Sequence, residues 1–281
     1  MSEQAAAAEP PAAPLHLPTV VAIAVVAYAL TNVAHEGLGH GGMCVAVGGK
    51  PEVLNAIYFA CEGEGLGGGA SKWVSAGGTI TNLILAALTF GLIRTGVVRS
   101  GAGRYFLWLF STLNLLQAFG YWMFSGVAGI GDWEMVVSGW PYYPLWRIAL
   151  AGLGFYTYMY LAVPLALRGL EPFLGAELAE RLRRARALTF PGYLAGGLLY
   201  VTAGLFNPES PMLILISAAA ASFGGTSALA WMTKMLRDTA EFPPASGPTL
   251  GISASRLWVA VALVIAGLFV ALLGPGIRLA S

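Results

Sequence analysis

The sequence predicts an all-α polytopic membrane protein with about seven transmembrane helices and a short β-like loop between the first two. Three observations carry this expectation. The 281 residues are 57% hydrophobic and only 10% charged, where a soluble domain carries about 25% charge. Mean hydropathy is +0.71. Apolar runs long enough to cross about 30 Å of hydrocarbon recur along the whole chain. A net charge of +1 and the lack of a basic face with interleaved aromatics exclude nucleic-acid binding; the expected surroundings are a lipid bilayer.

Three regions follow in order. Residues 1–17 are Ala/Pro-rich, contain Glu3 and Glu9, and have neither Lys nor Arg. They lack the positive start of a signal peptide and read as a disordered tail, with His16 solvated. Residues 18–135 read as a membrane core of three helices plus the β-like loop, and residues 136–281 as additional transmembrane helices. The expected spans run roughly over 19–41, 73–93, 105–129, 146–167, 190–206, 211–233 and 256–273. The fifth is short and could pair with the sixth across Asn207-Pro208-Glu209-Ser210-Pro211 as a tight hairpin.

Between the first two spans, Gly48-Gly49 precedes Val53-Leu54-Asn55-Ala56-Ile57-Tyr58-Phe59, and Gly67-Gly68-Gly69 follows. Glycine punctuation around a β-branched and aromatic run predicts a strand or hairpin, with an irregular loop as the alternative. Eleven Lys and Arg fall on one side of this topology and four on the other. The rule that positive loops stay inside places the N-terminus in the cytoplasm, as in a bacterial inner-membrane protein. Arg181 to Arg186 then read as a cytoplasmic anchor. Trp133, Trp140, Tyr142, Tyr143 and Trp146 read as an interfacial aromatic belt.

The chemistry concentrates at the end of the first span, in His35-Glu36-Gly37-Leu38-Gly39-His40, which holds two of only three histidines. Two imidazoles beside a carboxylate are how zinc hydrolases hold their metal, the Glu serving as general base. Ligands four apart lie about 40° around an α-helix, whereas five apart lie about 140° around it. One extra residue taken up as a π-bulge restores a common face, and Gly37 and Gly39 make that distortion easy. Ionisable groups inside a membrane are usually functional. The spacing resembles the His-Glu-x-x-Gly-His motif of the dipeptidyl peptidase III family.

A third ligand must come from an acid, since no other histidine lies in the membrane. Asp132 is the choice, because the third span returns its far end to the side of His40. Glu134, Glu52, Glu62 and Glu64 are the other candidates. Asn114 reads as an interhelix packing amide, and Asn82 as a group that could orient a substrate or stabilise an oxyanion. Cys44 and Cys61 read first as a disulfide, next as free thiols, and last, for Cys44, as a metal ligand.

The order of these elements resembles the site-2-protease class of intramembrane zinc metalloproteases. Ala76-Gly77-Gly78-Thr79-Ile80-Thr81-Asn82-Leu83 is similar to its second signature, and Asn114-Leu115-Leu116 through Gly131-Asp132 to its third. The likeness covers roughly residues 20–135. The His spacing is one residue longer, the second signature lacks its proline, and Trp133 follows Asp132. The resemblance implies zinc on His35, His40 and Asp132, with Glu36 as base. The expected function is therefore a membrane-embedded zinc peptidase acting on a membrane-associated or transmembrane protein segment. The alternative is a non-catalytic scaffold that assembles with another membrane protein. A di-iron oxidase is disfavoured by too few histidines, and a transporter by the scarcity of charge in the other spans.

Overall fold

The computed structural model describes residues 13–63, 67–208, 217–243 and 248–279. Glu64, residues 1–12 of the expected tail, and residues 209–216, where the sixth span was expected to start, lie outside the described residues. The chain is mostly helical (74%). Five helical stretches are long and apolar enough to cross a membrane: Leu17–Ala46, Gly68–Thr95, Tyr143–Phe173, Leu178–Leu205 and Arg256–Leu273.

The first stretch joins α1 (Leu17–Val33), a π-helical turn (Ala34–Gly41) and α2 (Gly42–Ala46). Pro18 sits in the first turn, where its missing N–H is no loss. The disordered tail does not extend to residues 13–17. Ile252 N–H donates to Pro14 O at 2.9 Å and His16 N–H to Ile252 O at 2.8 Å. The His16 ring also caps α1 through Thr19, with Nδ1 2.9 Å from its hydroxyl, rather than standing free in solvent.

Strands β1 (Lys50–Leu54) and β2 (Phe59–Glu62) pair antiparallel. The third strand, β3 (Ile277–Arg278), occupies the other edge of β1. Asn55 shapes the hairpin turn, its side-chain oxygen accepting from the N–H groups of Ile57 and Tyr58. Then follow α3 (Gly68–Thr95), α4 (Gly101–Ala128) and the short α5 (Asp132–Val137). Gly96 and Gly129 close α3 and α4 in the left-handed region. Although α4 is as long as α3, it is not among the five most apolar stretches. Ser111, Thr112, Asn114 and Gln117 are buried along it, which lowers its hydropathy.

The rest comprises α6 (Tyr143–Thr157), a π turn, α7 (Val163–Leu170), α8 (Leu178–Leu205), α9 (Ala228–Trp231) and α10 (Arg256–Leu268), which continues through a last π turn to Leu273. Around α9, residues 217–237 change between α, π and 3-10 turns. The first stretch is central, with 67% of its apolar window buried, against 17% for Arg256–Leu273. Leu88, Leu153, Leu198 and Leu263 all face outward, as a lipid-facing surface requires.

The basic run expected in a loop lies instead within α8. Arg181 and Arg184, three residues apart and so on one helix face, are buried. Arg181 meets both carboxylate oxygens of Glu171 (3.1 and 3.0 Å) and the carbonyl of Phe242 (3.0 Å). Arg184 donates to the carbonyls of Phe173, Ala13 and Leu250. Together they tie four separate chain segments to α8.

Candidate metal centre

Five residues separate His35 from His40, and the local π geometry brings their rings together. Gly42 N–H reaches back five residues to Gly37 O, the bonding pattern that stacks positions five apart. The two Nε2 atoms lie 3.2 Å apart. Glu36 lies in the same turn, with an oxygen 4.0 Å from His40 Nε2. His35, Glu36 and His40 are all buried and could hold a metal ion together.

Close backbone packing makes room for this turn. A Cβ on Gly39 would stand 2.5 Å from the Cα of Gly78, and one on Gly78 would stand 2.5 Å from the His35 ring. Gly77 meets the Gly39 carbonyl in the same way. The glycines of the second signature thus let α3 lie directly against the imidazoles.

The structure brings Asp132 to the histidines. Its Oδ2 is 3.3 Å from His35 Nε2 and 3.4 Å from His40 Nε2. Burial pushes the Asp132 carboxyl up, but the His40 and His35 imidazoles outweigh burial and hold it below the usual carboxylate range. The three donor atoms form a triangle with sides of 3.2, 3.3 and 3.4 Å. A tetrahedral zinc with donors at about 2.0–2.1 Å has edges of about 3.3–3.4 Å, so the set fits one face of such a site.

His40 Nδ1 lies 2.7 Å from the Val74 carbonyl. A carbonyl only accepts, so Nδ1 carries the proton, and a metal would be taken by Nε2. Asp132 itself is held through its own helix. Trp133 Nε1–H donates to Thr79 Oγ1 at 2.8 Å. Lys72 Nζ donates to the Val136 and Ser138 carbonyls at 2.9 and 2.5 Å, capping the far end of α5. None of Val74, Thr79 or Lys72 was singled out from sequence. A lysine in the first turns of an apolar helix was the one available signal.

The other candidates fall elsewhere. Glu134 accepts from the Tyr143 hydroxyl at 3.0 Å. Glu52 and Glu62 are exposed on the hairpin. Asn114 bonds to Phe110 O and to Thr31 Oγ1 on α1. Asn82 is fully buried, and both its amide atoms lack a partner. It is not in the wall of the cavity beside Asp132. Cys44 and Cys61 are joined by a disulfide with a Cα separation of 5.9 Å, fixing the end of the metal-site helix to β2.

That cavity is large and mainly apolar, about 810 Å³, with Tyr58, Tyr121, Phe124, Ile130, Asp132 and Ala221 in its wall. It runs between the hairpin turn, the end of α4 and residues 217–225. No family model, curated protein or solved structure matches the chain, so the geometry of this centre carries the functional argument by itself.

Proposed function

We propose that the chain is a membrane-embedded zinc-dependent hydrolase, a peptidase acting on a membrane-associated or transmembrane protein segment. The observation that carries this reading is the triangle of His35 Nε2, His40 Nε2 and Asp132 Oδ2 with the Glu36 carboxylate beside it. Bound zinc would supply an acidified water and polarise the scissile carbonyl. Glu36 would take the proton from the attacking water and pass it to the leaving amine. Its buried Oε2 has no hydrogen-bond partner within the protein and lies 4.0 Å from His40 Nε2, on the side of the proposed metal. The apolar cavity would admit the substrate segment up to Asp132 and keep bulk solvent away. This is the arrangement implied by the likeness to site-2 proteases over residues 20–135.

Seven crossings remain the topology we favour. β3 pairs with β1 beside the metal centre, and Ile252 pairs with Leu15 at the opposite end of α1. Ser217 and Ala221 lie in the wall of the cavity beside Asp132, and the Phe242 carbonyl meets Arg181 at the opposite end, which supports a crossing by residues 217–242. The excess of Lys and Arg at the Leu15 end would face the cytoplasm and leave the centre toward the outer face.

The test is the metal content of purified protein. We expect about one zinc per chain in the wild type, and none in His35→Ala or His40→Ala. Glu36→Gln should keep the metal while hydrolysis of co-expressed membrane proteins, followed by mass spectrometry of their fragments, falls about 10²–10⁴-fold. Zinc closed by four protein ligands, or hydrolysis unaffected by Glu36→Gln, would favour the scaffold reading instead.

A further inference from the structure

The two histidines differ in what their outer nitrogens meet. His40 Nδ1–H has the Val74 carbonyl. His35 Nδ1 is buried and has no partner, and the same is true of Glu36 Oε2 and Asn32 Oδ1. Asn32 lies on the same helical stretch, and its amide nitrogen is already engaged, donating to Ala56 O at 3.1 Å. These three residues line one small cavity of about 10 Å³, closed on its other sides by residues that include Gln117, Tyr121 and Tyr200. Such a space has room for about one water molecule. Buried polar atoms are rarely left unpaired, and three in one cavity require an explanation.

One molecule answers all three. A water accepts from His35 Nδ1–H and donates its two hydrogens to Asn32 Oδ1 and Glu36 Oε2. We propose that this cavity binds one permanent water, and that through it Asn32 acts as a positioning residue for His35 and Glu36. The water does for His35 what the Val74 carbonyl does for His40. It holds the proton on Nδ1 and leaves Nε2 facing the metal side. It also holds Glu36 Oε2, the oxygen that lies 4.0 Å from His40 Nε2. The water site stands on the unpaired groups and the cavity alone, whereas its positioning role rests on the reading of His35 as a ligand. Ile57, Tyr121, Ser217 and Ala221 line both this cavity and the large apolar one. The site of the bound water and the substrate space therefore adjoin along these residues.

The deciding experiment is diffraction from the full-length protein at a resolution that shows waters, with zinc added and after chelation. One water within about 3.2 Å of all three atoms is expected in both states. A dry cavity, or a water bonded to only one of the three, overturns the site. For the positioning role, Ala221→Val narrows the cavity from the wall and leaves the Asn32–Ala56 bond alone. If it displaces the water, zinc affinity measured by competition with a chromophoric chelator should fall about 10–100-fold, with helix content unchanged. Unchanged affinity in a variant shown to lack the water overturns that role. A wild type that binds no zinc ends the positioning role and the hydrolase reading together, while the diffraction still decides whether the water is there.

Discussion

Arg181 and Arg184 at one end of the bundle, and His35, Glu36 and His40 at the other, are both clusters of buried ionisable groups. They are treated in opposite ways. Every guanidinium nitrogen except Arg181 Nε has an acceptor, and the acceptors are a carboxylate and carbonyls from four other segments. At the histidine end, His35 Nδ1 and Glu36 Oε2 have no hydrogen-bond partner within the protein. The first arrangement closes a structure, because buried charge is tolerated once it is paired and hydrogen-bonded. The second leaves bonding capacity open in a place where openness is unfavourable, which is the mark of a group kept for a reaction or a ligand.

The comparison can be broken from either side. The largest effect is expected at the basic end. Arg181→Ala leaves Glu171 unpaired at 16% exposure and should destabilise the protein by roughly 3–5 kcal/mol. Thermal unfolding in detergent would show this, with metal per folded chain unchanged. A loss of metal in the folded fraction would mean that the two ends are coupled. Gly78→Ala should act at the other end. Its new Cβ would meet the His35 ring, destabilising by about 1–3 kcal/mol and also displacing a ligand, so zinc content should fall with stability. Retained zinc would show that α3 moves aside freely. The smallest effect is expected for Lys72→Met, which releases the cap on α5. Stability should change by about 1 kcal/mol, while zinc affinity falls up to about tenfold because Asp132 loses its support. Titration with a competing chelator distinguishes this from a purely structural loss.

Much of the histidine end was legible in the sequence because rare residue types stood in an apolar background. Two imidazoles, a carboxylate and glycines in six residues leave few alternatives, and the return of the third helix pointed to Asp132. The partners that orient these groups were not legible. Val74 contributes a backbone carbonyl, which every residue has, and Thr79 and Trp133 meet across two helices with no local pattern to join them. The basic end was misplaced for a related reason. Five arginines in 168–189 resembled a solvated loop by composition. The three-residue spacing of Arg181 and Arg184 against exposed Arg183 and Arg186 held the helical signal, but not the four segments they bind. The span expected at 211–233 starts outside the described residues, and its described part, 217–233, changes between α, π and 3-10 turns, a detail that no hydropathy average resolves.

The pairing of β3 with β1 carries a consequence for biosynthesis. Val53 lies opposite Arg278 and Leu54 opposite Ile277, and Leu279 N–H donates to Glu52 O at 2.8 Å. A ribosome makes β1 early and β3 only after all the intervening helices have emerged. Until then, one edge of the strand beside the metal centre has no partner. The three-stranded sheet is therefore complete only once the last helix has been made.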